Sequence, residues 1–208
     1  MIALWTSLAL LAAGVIWAAL VYRHISHVSQ GDKIPERSGT ALLLVDLQED
    51  FWNSGQYDET DKTQATQAIH AAVTRANSED HPVITLRQEW STPSTRAFAR
   101  IFMKGQGLAG QPGAELANPF VDMGEYEVIK RVQDGFETGA LDTLLDQLNI
   151  GHVQIAGLDA AFCVNKTAQA ALARGYKVTL LPDGLLGALP KATEKAFETL
   201  KNAGAEVI

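Results

Sequence analysis

Short apolar runs that alternate with helix-like segments constrain the fold of this chain more than any other feature. The clearest run, Ala41–Val45, is apolar at every position and is followed directly by Asp46. Strands buried on both faces of a parallel sheet have this pattern, because helices cover both faces. Further strand-like segments, which are less uniformly apolar, occur at residues 83–86, 126–129, 153–156, 176–181 and 206–208. The sequence therefore predicts a doubly wound α/β sheet of about six mostly parallel strands with helices on both faces.

An uncharged apolar segment precedes this pattern. Residues 2–22 carry no charged side chain, and a helix needs about 20 such residues to cross a bilayer. Trp5 lies near one end of the segment, and Trp17 and Tyr22 lie near the other, where interfacial aromatics are common. We therefore predict a transmembrane anchor helix over residues 1–24, a tether over residues 25–39 and a single domain over residues 40–208.

Basic residues follow the apolar segment, and none precedes it. Arg23, Lys33 and Arg37 lie on its carboxyl side. The positive-inside rule then predicts a single-pass membrane protein whose domain faces the cytoplasm. A cleaved signal peptide, which would leave the domain secreted or periplasmic, is the alternative. Such peptides have a basic amino-terminal region and a shorter apolar core, so the anchor is favoured.

The composition argues against several classes of function. The 208 residues carry a net charge of −7 with no cluster of Lys or Arg, so a nucleic-acid partner is not expected. The single cysteine excludes an internal disulfide framework. The chain has no CxxC or HExxH motif, and the GxGxxG match at residues 105–110 follows no predicted strand. We therefore expect neither a metal ion nor another cofactor.

The only cysteine lies where a predicted strand passes into a predicted helix. Residues 153–156 form the strand, residues 157–161 form a turn of small residues, and the helix then extends to the stop at Gly175. Unpaired amides and the helix dipole at a first turn lower the pKa of a thiol. Cys163 is therefore a candidate nucleophile that iodoacetamide should label rapidly near neutral pH. A buried structural cysteine is the alternative.

Two further candidates follow other predicted strands. Asp46 ends the first strand and Lys130 ends the third, and ligands of doubly wound sheets bind beyond these carboxyl ends. A carboxylate there can take the proton of a thiol and later pass it to a leaving amine, with a lysine as electrostatic support. Taken singly, Asp46 is better explained as a loop cap and Lys130 as a solvated charge.

Several blocks of the sequence resemble one known family when they are taken in order. The blocks are Ala41–Phe51, Val128–Lys130 with Gly135-Phe136, Ala156–Ala168, Gly175–Val178 and Pro182-Asp183. Together they resemble the isochorismatase-like cysteine hydrolases over residues 40–208. The resemblance implies a Rossmann-like sheet, association of identical subunits and a catalytic triad of Asp46, Lys130 and Cys163.

The resemblance also implies details of the site. The backbone amides of Asp159 and Cys163 would form an oxyanion hole, with a cis peptide bond before Asp159, which is costly outside proline. Members that cleave the vinyl ether of isochorismate lack the cysteine, so Cys163 favours hydrolysis of a C–N bond through a thioester. Nicotinamidase-like members bind a metal through histidines that residues 52–57 and 87–90 lack, which makes a nicotinamidase less expected.

The sequence thus predicts a membrane-tethered amidohydrolase for a small amide or N-carbamoyl compound. The predicted substrate-binding residues are Gln48, Phe51, Arg87, Trp90 and Phe136. Glu89 is an alternative partner for Arg87, and ordinary core packing is the alternative for the aromatic residues. The second hypothesis is a non-catalytic scaffold that holds a partner at the membrane. A thiol redox sensor would need a cysteine from another molecule.

Overall fold

The computed structural model describes the backbone of residues 2–208 and the side chains of residues 5–208, and six strands form one sheet there. The strands are β1 (Gly39–Val45), β2 (Val83–Gln88), β3 (Tyr126–Lys130), β4 (Ile150–Gly157), β5 (Lys177–Leu185) and β6 (Glu206–Val207). Their order is β3-β2-β1-β4-β5-β6, and every neighbouring pair is parallel. The predicted α/β sheet is confirmed.

Helices cover both faces of this sheet. Residues 2–208 contain α1 (Ile2–Ile25), α2 (Glu49–Trp52), α3 (Glu59–Ser78), α4 (Pro93–Phe102), α5 (Ala140–Gln147), α6 (Cys163–Arg174) and α7 (Pro190–Asn202). Apolar residues of α3 pack into one core cluster with Leu42 and Leu44, whereas those of α5 and α6 pack into another with Leu43 and Val45. Because alternate strand residues point to opposite faces, the continuous apolar run of β1 supplies both cores.

The chain reverses its direction of travel across the sheet at β1. It moves from β1 through β2 to β3 at one edge, and then returns to place β4 on the other side of β1. The loops after β1 and β4 therefore diverge and leave a crevice at the carboxyl edge of the sheet, which is where ligands bind in such folds.

The long segment between β2 and β3 is only partly irregular. It contains α4 and two 3-10 helices at Pro112–Ala114 and Asn118–Phe120. Thr92 caps α4 by accepting a hydrogen bond from the backbone amide of Thr95, and Pro93 occupies the first turn, where a missing N–H costs nothing. The sequence allowed for short helices in this segment without locating them.

The apolar amino-terminal segment forms one helix, α1, and its last turns pack against the domain. Trp17 contacts Phe98 of α4 with ring centroids 6.5 Å apart. Val21 and Ile25 are buried in a cluster with Trp90. Most apolar side chains earlier in α1 are exposed, among them Leu8, Leu10, Leu11, Val15 and Ile16. The end of α1 is therefore part of the folded unit.

The segment that follows α1, predicted as a tether, makes specific contacts with the domain. The Ser29 amide donates to Oδ2 of Asp134 at 2.7 Å, and Arg174 Nη1 donates to the Ser29 carbonyl at 3.1 Å. The Ile34 amide donates to the Arg174 carbonyl at 2.9 Å, and Arg37 pairs with Asp146. These bonds fix the path of the chain between α1 and β1.

Candidate active site

The three residues that the sequence singled out meet at the carboxyl edge of the sheet. Asp46 directly follows β1, Lys130 is the last residue of β3, and Cys163 is the first residue of α6. Nζ of Lys130 lies 3.0 Å from Oδ2 of Asp46. The thiol of Cys163 interacts with both charged groups. A thiol, a carboxylate and an ammonium group are therefore in mutual contact.

Lys130 is fully buried, and protein oxygens surround its ammonium group. Besides the carboxylate of Asp46, Nζ donates to Oε1 of Gln88 at 2.7 Å and to the Val132 carbonyl at 3.3 Å. Gln48 holds Gln88 in turn, because the backbone amide of Gln88 donates a hydrogen bond to Oε1 of Gln48 at 2.6 Å. Although burial alone favours the neutral amine, the charge of Asp46 and the thiol raise the pKa of Lys130, so the group stays charged.

Asp46 has an unusual backbone conformation. Its φ of 52° lies in the left-handed region, which non-glycine residues seldom adopt, although aspartate tolerates it better than most. Its amide donates to the Leu86 carbonyl at 2.8 Å, which holds this turn. Within the described residues, the buried Oδ1 of Asp46 accepts no hydrogen bond of good geometry, and Asp46 lines a cavity. This oxygen can therefore receive a proton from the thiol or a substrate.

Burial and a neighbouring carboxylate favour the protonated form of the Cys163 thiol at neutral pH. Burial raises the pKa of the thiol well above its ordinary value, the charge of Asp46 raises it further, and Lys130 opposes both effects. The sequence led us to expect that the helix amino terminus lowers the pKa of this thiol. That prediction is wrong, because burial and the neighbouring carboxylate outweigh the effect of the helix. Burial also raises the pKa of Asp46, despite Lys130, which makes this carboxylate a stronger base.

The turn before Cys163 has a trans backbone. Residues 2–208 contain no cis peptide bond, so the predicted cis bond before Asp159 is wrong. Gly157 instead adopts a φ of 118°, and the Leu158 amide donates to the Val45 carbonyl at 2.8 Å. A glycine can adopt this conformation at little cost, whereas a non-proline cis bond costs about 3–4 kcal/mol.

The side chain of Asp159 holds this turn together. Its oxygens accept hydrogen bonds from the amides of Ala161 and Ala188, each at 2.8 Å, and from the hydroxyl of Tyr57 at 3.2 Å. Burial raises the pKa of Tyr57, so its neutral hydroxyl is the donor. Three segments that surround Cys163 are therefore joined through one carboxylate.

Two backbone amides of the turn remain free. The amides of Ala160, Phe162 and Val164 all donate to backbone carbonyls. In the part of the chain that the structure describes, the amides of Asp159 and Cys163 donate to no protein atom. These are the two amides that the sequence predicted for an oxyanion hole.

A cavity of about 340 Å³ lies over Asp46 and Cys163. Its volume lies within the range of small-molecule sites. Two of the predicted substrate-binding residues, Phe51 and Trp90, line it. Gly107 packs between them with a φ of 67°, and a Cβ atom there would lie 2.7 Å from Cζ of Phe51. The glycine-rich segment 105–110 therefore shapes this cavity.

The other three predicted substrate-binding residues do not line the cavity. Gln48 is fully buried and holds Gln88. Gln88 lines the cavity, and neighbouring residues of a strand point to opposite faces, so Arg87 points away from it. Arg87 pairs instead with Glu127 at 2.7 Å and Glu89 at 3.3 Å. Phe136 packs against Tyr176 in the core, with ring centroids 5.8 Å apart. These three predictions of substrate contact are corrected accordingly.

The sequence missed several residues that line the cavity. Tyr57 and Gln133 come from loops, and Tyr22 and Ile25 come from α1. Loop residues carry no hydrophobic period, and the sequence assigned Tyr22 to a membrane anchor and Ile25 to a tether. Two atoms of cavity residues, Nε1 of Trp90 and Oε1 of Gln133, are buried without a hydrogen-bond partner in the described chain. A buried polar atom without a partner costs free energy, so both can gain from a bound ligand.

Solved structures share this architecture, and a known enzyme is similar to the chain in sequence. A pyrazinamidase of Pyrococcus horikoshii, solved in complex with zinc, is 26% identical, with a TM-score of 0.69 over 82% of this chain and 99% of that one. The nicotinamidase of Escherichia coli is 26% identical over 79% of this chain and 92% of its own length. An N-carbamoylsarcosine amidase of Thermoplasma acidophilum, 23% identical, has the same fold with a TM-score of 0.70 over 82% of this chain and 95% of that one.

The Pyrococcus structure contains zinc, which raises the question whether the described residues of this chain could hold a metal ion. Within the described residues, no group of three or more His, Cys, Asp or Glu side chains is arranged to hold a metal ion. A zinc site needs at least three such ligands. The described residues therefore do not fit a zinc ion.

The family follows from the extent of the match. The family model described as Isochorismatase domain matches residues 40–208, which include all six strands except the first residue of β1. It also includes Asp46, Lys130 and Cys163. The resemblance seen in the sequence is thereby confirmed, and the chain belongs to the isochorismatase-like family.

Proposed function

We propose that this protein is an amidohydrolase that cleaves the C–N bond of a small amide or N-carbamoyl compound through a thioester at Cys163. The observation that carries the proposal is the buried pair of Asp46 and Lys130, 3.0 Å apart, beside a thiol that lines a cavity. The names of the relatives, a nicotinamidase and a pyrazinamidase, support action on an amide.

The first half of the reaction forms the thioester. Asp46 takes the thiol proton as Sγ attacks the carbonyl carbon, and the oxyanion accepts hydrogen bonds from the free amides of Asp159 and Cys163. Asp46 then passes the proton to the leaving nitrogen, which departs as ammonia or an amine. Lys130 stays charged throughout, so it stabilises the carboxylate and the negative charge on sulfur.

The second half returns the enzyme to its starting state. Asp46 removes a proton from a water molecule that attacks the thioester carbon, and the same two amides stabilise the second oxyanion. The C–S bond breaks, the thiolate takes the proton back from Asp46, and a carboxylic acid leaves. The sum is one amide and one water converted to one acid and one amine.

The unpaired polar atoms of the cavity suggest how a substrate is held. Nε1 of Trp90 can donate a hydrogen bond, and Oε1 of Gln133 can accept one. An amide group offers both an acceptor oxygen and a donor nitrogen. We propose that these two residues orient the substrate, while Phe51 and the ring of Trp90 pack against it.

We further propose that α1 is retained as a membrane anchor and that the domain faces the cytoplasm. By length and composition alone, Trp5–Ile25 could cross a membrane, and the exposed apolar side chains up to Ile16 are the part of α1 that enters it, because its last turns pack against the domain. Val21 and Ile25 are buried against the domain, so cleavage after α1 would uncover Trp90 and the cavity. This argues against a removable signal peptide. Association of identical subunits stays a prediction from the family.

An ammonia-release screen tests the proposed function. The full chain in detergent is incubated with a panel of primary amides and ureido acids, beside Cys163→Ala, which removes only the sulfur atom. We expect release by the wild type and none by the variant. Absence of release across the whole panel, with a folded wild type, would favour the non-catalytic scaffold.

A further inference from the structure

The end of α1 forms one wall of the cavity. Tyr22 and Ile25 line the cavity on this side, opposite Phe102 and Met103 at the end of α4. The position of the wall is fixed, because the Gln133 amide donates to the Ile25 carbonyl at 3.0 Å. The helix proposed to enter the membrane is therefore the same helix that closes the active site.

The mouth of the cavity on this side is apolar and exposed. Phe102 is 57% exposed and Tyr22 is 50% exposed, although both line the cavity. The neighbouring Ile101 is 64% exposed, and Arg100 is exposed beside it. Exposed apolar side chains next to a basic one are typical of helices that lie on a bilayer surface. Earlier residues of α1, among them Ile16 and Leu20, are also apolar and exposed.

We propose that the substrate is an amphiphilic amide that reaches the site from the membrane. Its amide group lies at Cys163, and its alkyl chain lies between α1 and α4, against Ile25 and Phe102. The chain gains free energy by leaving water for this apolar wall, while the C–N bond is cleaved as described above. This inference rests on the proposed function and specifies its substrate class.

The inference is tested with straight-chain primary amides as probes. Ammonia release is measured with the full chain at one fixed concentration of a nonionic detergent, for amides of about two to ten carbons. We expect kcat/KM to rise with chain length by up to roughly fourfold per methylene until the wall is filled. If short amides are hydrolysed but kcat/KM stays flat or falls with chain length, the amphiphilic substrate is ruled out while the proposed amidohydrolase activity stands. No release from any amide would overturn the proposed function and the inference with it.

Matched variants of α1 locate the alkyl chain. Ile25→Ala and Tyr22→Ala remove parts of the wall, whereas Ile16→Ala removes the same atoms as Ile25→Ala from a side chain that is 60% exposed. The readout is the ratio of kcat/KM for the longest and the shortest amide, which does not depend on the fraction of folded enzyme. We expect Ile25→Ala and Tyr22→Ala to lower this ratio roughly fivefold and Ile16→Ala to leave it unchanged. Equal ratios in all three variants would contradict the proposal.

Discussion

The buried ammonium group of Lys130 explains the arrangement of the polar residues around it. A buried ammonium group is tolerated only when oxygens surround it, and Lys130 has the carboxylate of Asp46, the amide oxygen of Gln88 and the Val132 carbonyl. Gln48 contributes indirectly, since it binds Gln88. The charge of Lys130 then partly offsets the repulsion between the Asp46 carboxylate and a thiolate.

Asp46→Asn should separate the reactivity of the thiol from turnover. The charge of Asp46 raises the pKa of the Cys163 thiol, so its removal should lower that pKa and speed alkylation by iodoacetamide near neutral pH. Turnover should nevertheless fall by a factor on the order of 10²–10⁴, because the base is lost. Intact-mass measurement of labelling is specific, since Cys163 is the only cysteine.

Lys130→Met provides the opposite case for the same labelling measurement. Lys130 lowers the pKa of the thiol, so its removal should slow alkylation below the wild-type rate. The wild-type thiol should itself react slowly near neutral pH and faster as the pH rises. Slower alkylation in Asp46→Asn than in the wild type would contradict the assigned electrostatics.

The pH dependence of kcat/KM should report the carboxylate. Asp46 must be ionised to act as a base, and burial raises its pKa above the 3.8 of an ordinary aspartate. Activity should therefore be lost as the pH falls through this raised pKa, and the acidic midpoint should lie clearly above pH 3.8. Because the pKa of Lys130 is raised above 10.5, its charge should not limit activity at neutral pH. An acidic midpoint at or below that of an ordinary aspartate would contradict this assignment.

The residues that the sequence located correctly are those that follow strands. Asp46, Lys130 and Cys163 could be placed together because the carboxyl ends of parallel strands share one edge. Gln133 and Tyr57 could not, since their loops carry no periodic pattern. Phe136 was misplaced because proximity in sequence to Lys130 says nothing about the face on which an aromatic packs.

At the scale of elements, the segment between α4 and the first 3-10 helix forms part of the cavity. The Trp90 amide donates to the Gly107 carbonyl at 2.8 Å, and Gly107 packs against the rings of Phe51 and Trp90. The sequence showed this segment only as a match to a nucleotide-binding pattern. In the structure this segment packs against the rings of Phe51 and Trp90, and a pattern of glycines alone does not reveal such packing.

Gly107→Ala should distort the cavity, with Gly110→Ala as its control. Both glycines have a left-handed backbone, with φ values of 67° and 75°, so both variants carry a backbone penalty of about 1–2 kcal/mol. Only at Gly107 would the added Cβ lie 2.7 Å from Phe51, whereas nothing lies within 4 Å at Gly110. We expect kcat/KM to fall at least roughly tenfold more in Gly107→Ala, since misplaced contacts cost that much. Equal losses in the two variants would argue against a packing function.

At the scale of the whole molecule, α1 and the domain form one unit. Residues 25–39 were predicted as a tether because they are polar and contain proline and glycine. In the structure Arg174 and Asp134 bind this segment, although their positions lie over 100 residues away in sequence. Composition describes the local flexibility of a chain, and it does not show which buried side chains will bind it.

Arg174→Gln should loosen this segment without removing its basic residues. Arg174 donates to Ser29, Gln30 and Asp142, and hydrogen bonds of charged groups contribute about 1.5–3 kcal/mol each. We expect cleavage by trypsin after Lys33 or Arg37 to accelerate roughly tenfold or more, followed by mass spectrometry of the fragments. Arg131→Gln, which removes an exposed pair with Glu137, should leave the cleavage rate unchanged. Rapid cleavage of the wild type at these sites would show that the segment is free.

Hydroxylamine can trap the thioester that we propose at Cys163. Hydroxylamine competes with water for an acyl thioester and converts it to a hydroxamate. During turnover of any amide found to be hydrolysed, the wild type should form hydroxamate in proportion to the hydroxylamine added, and Cys163→Ala should form none. Ammonia release without hydroxamate at any hydroxylamine concentration, or equal hydroxamate formation by Cys163→Ala, would rule out a thioester at Cys163.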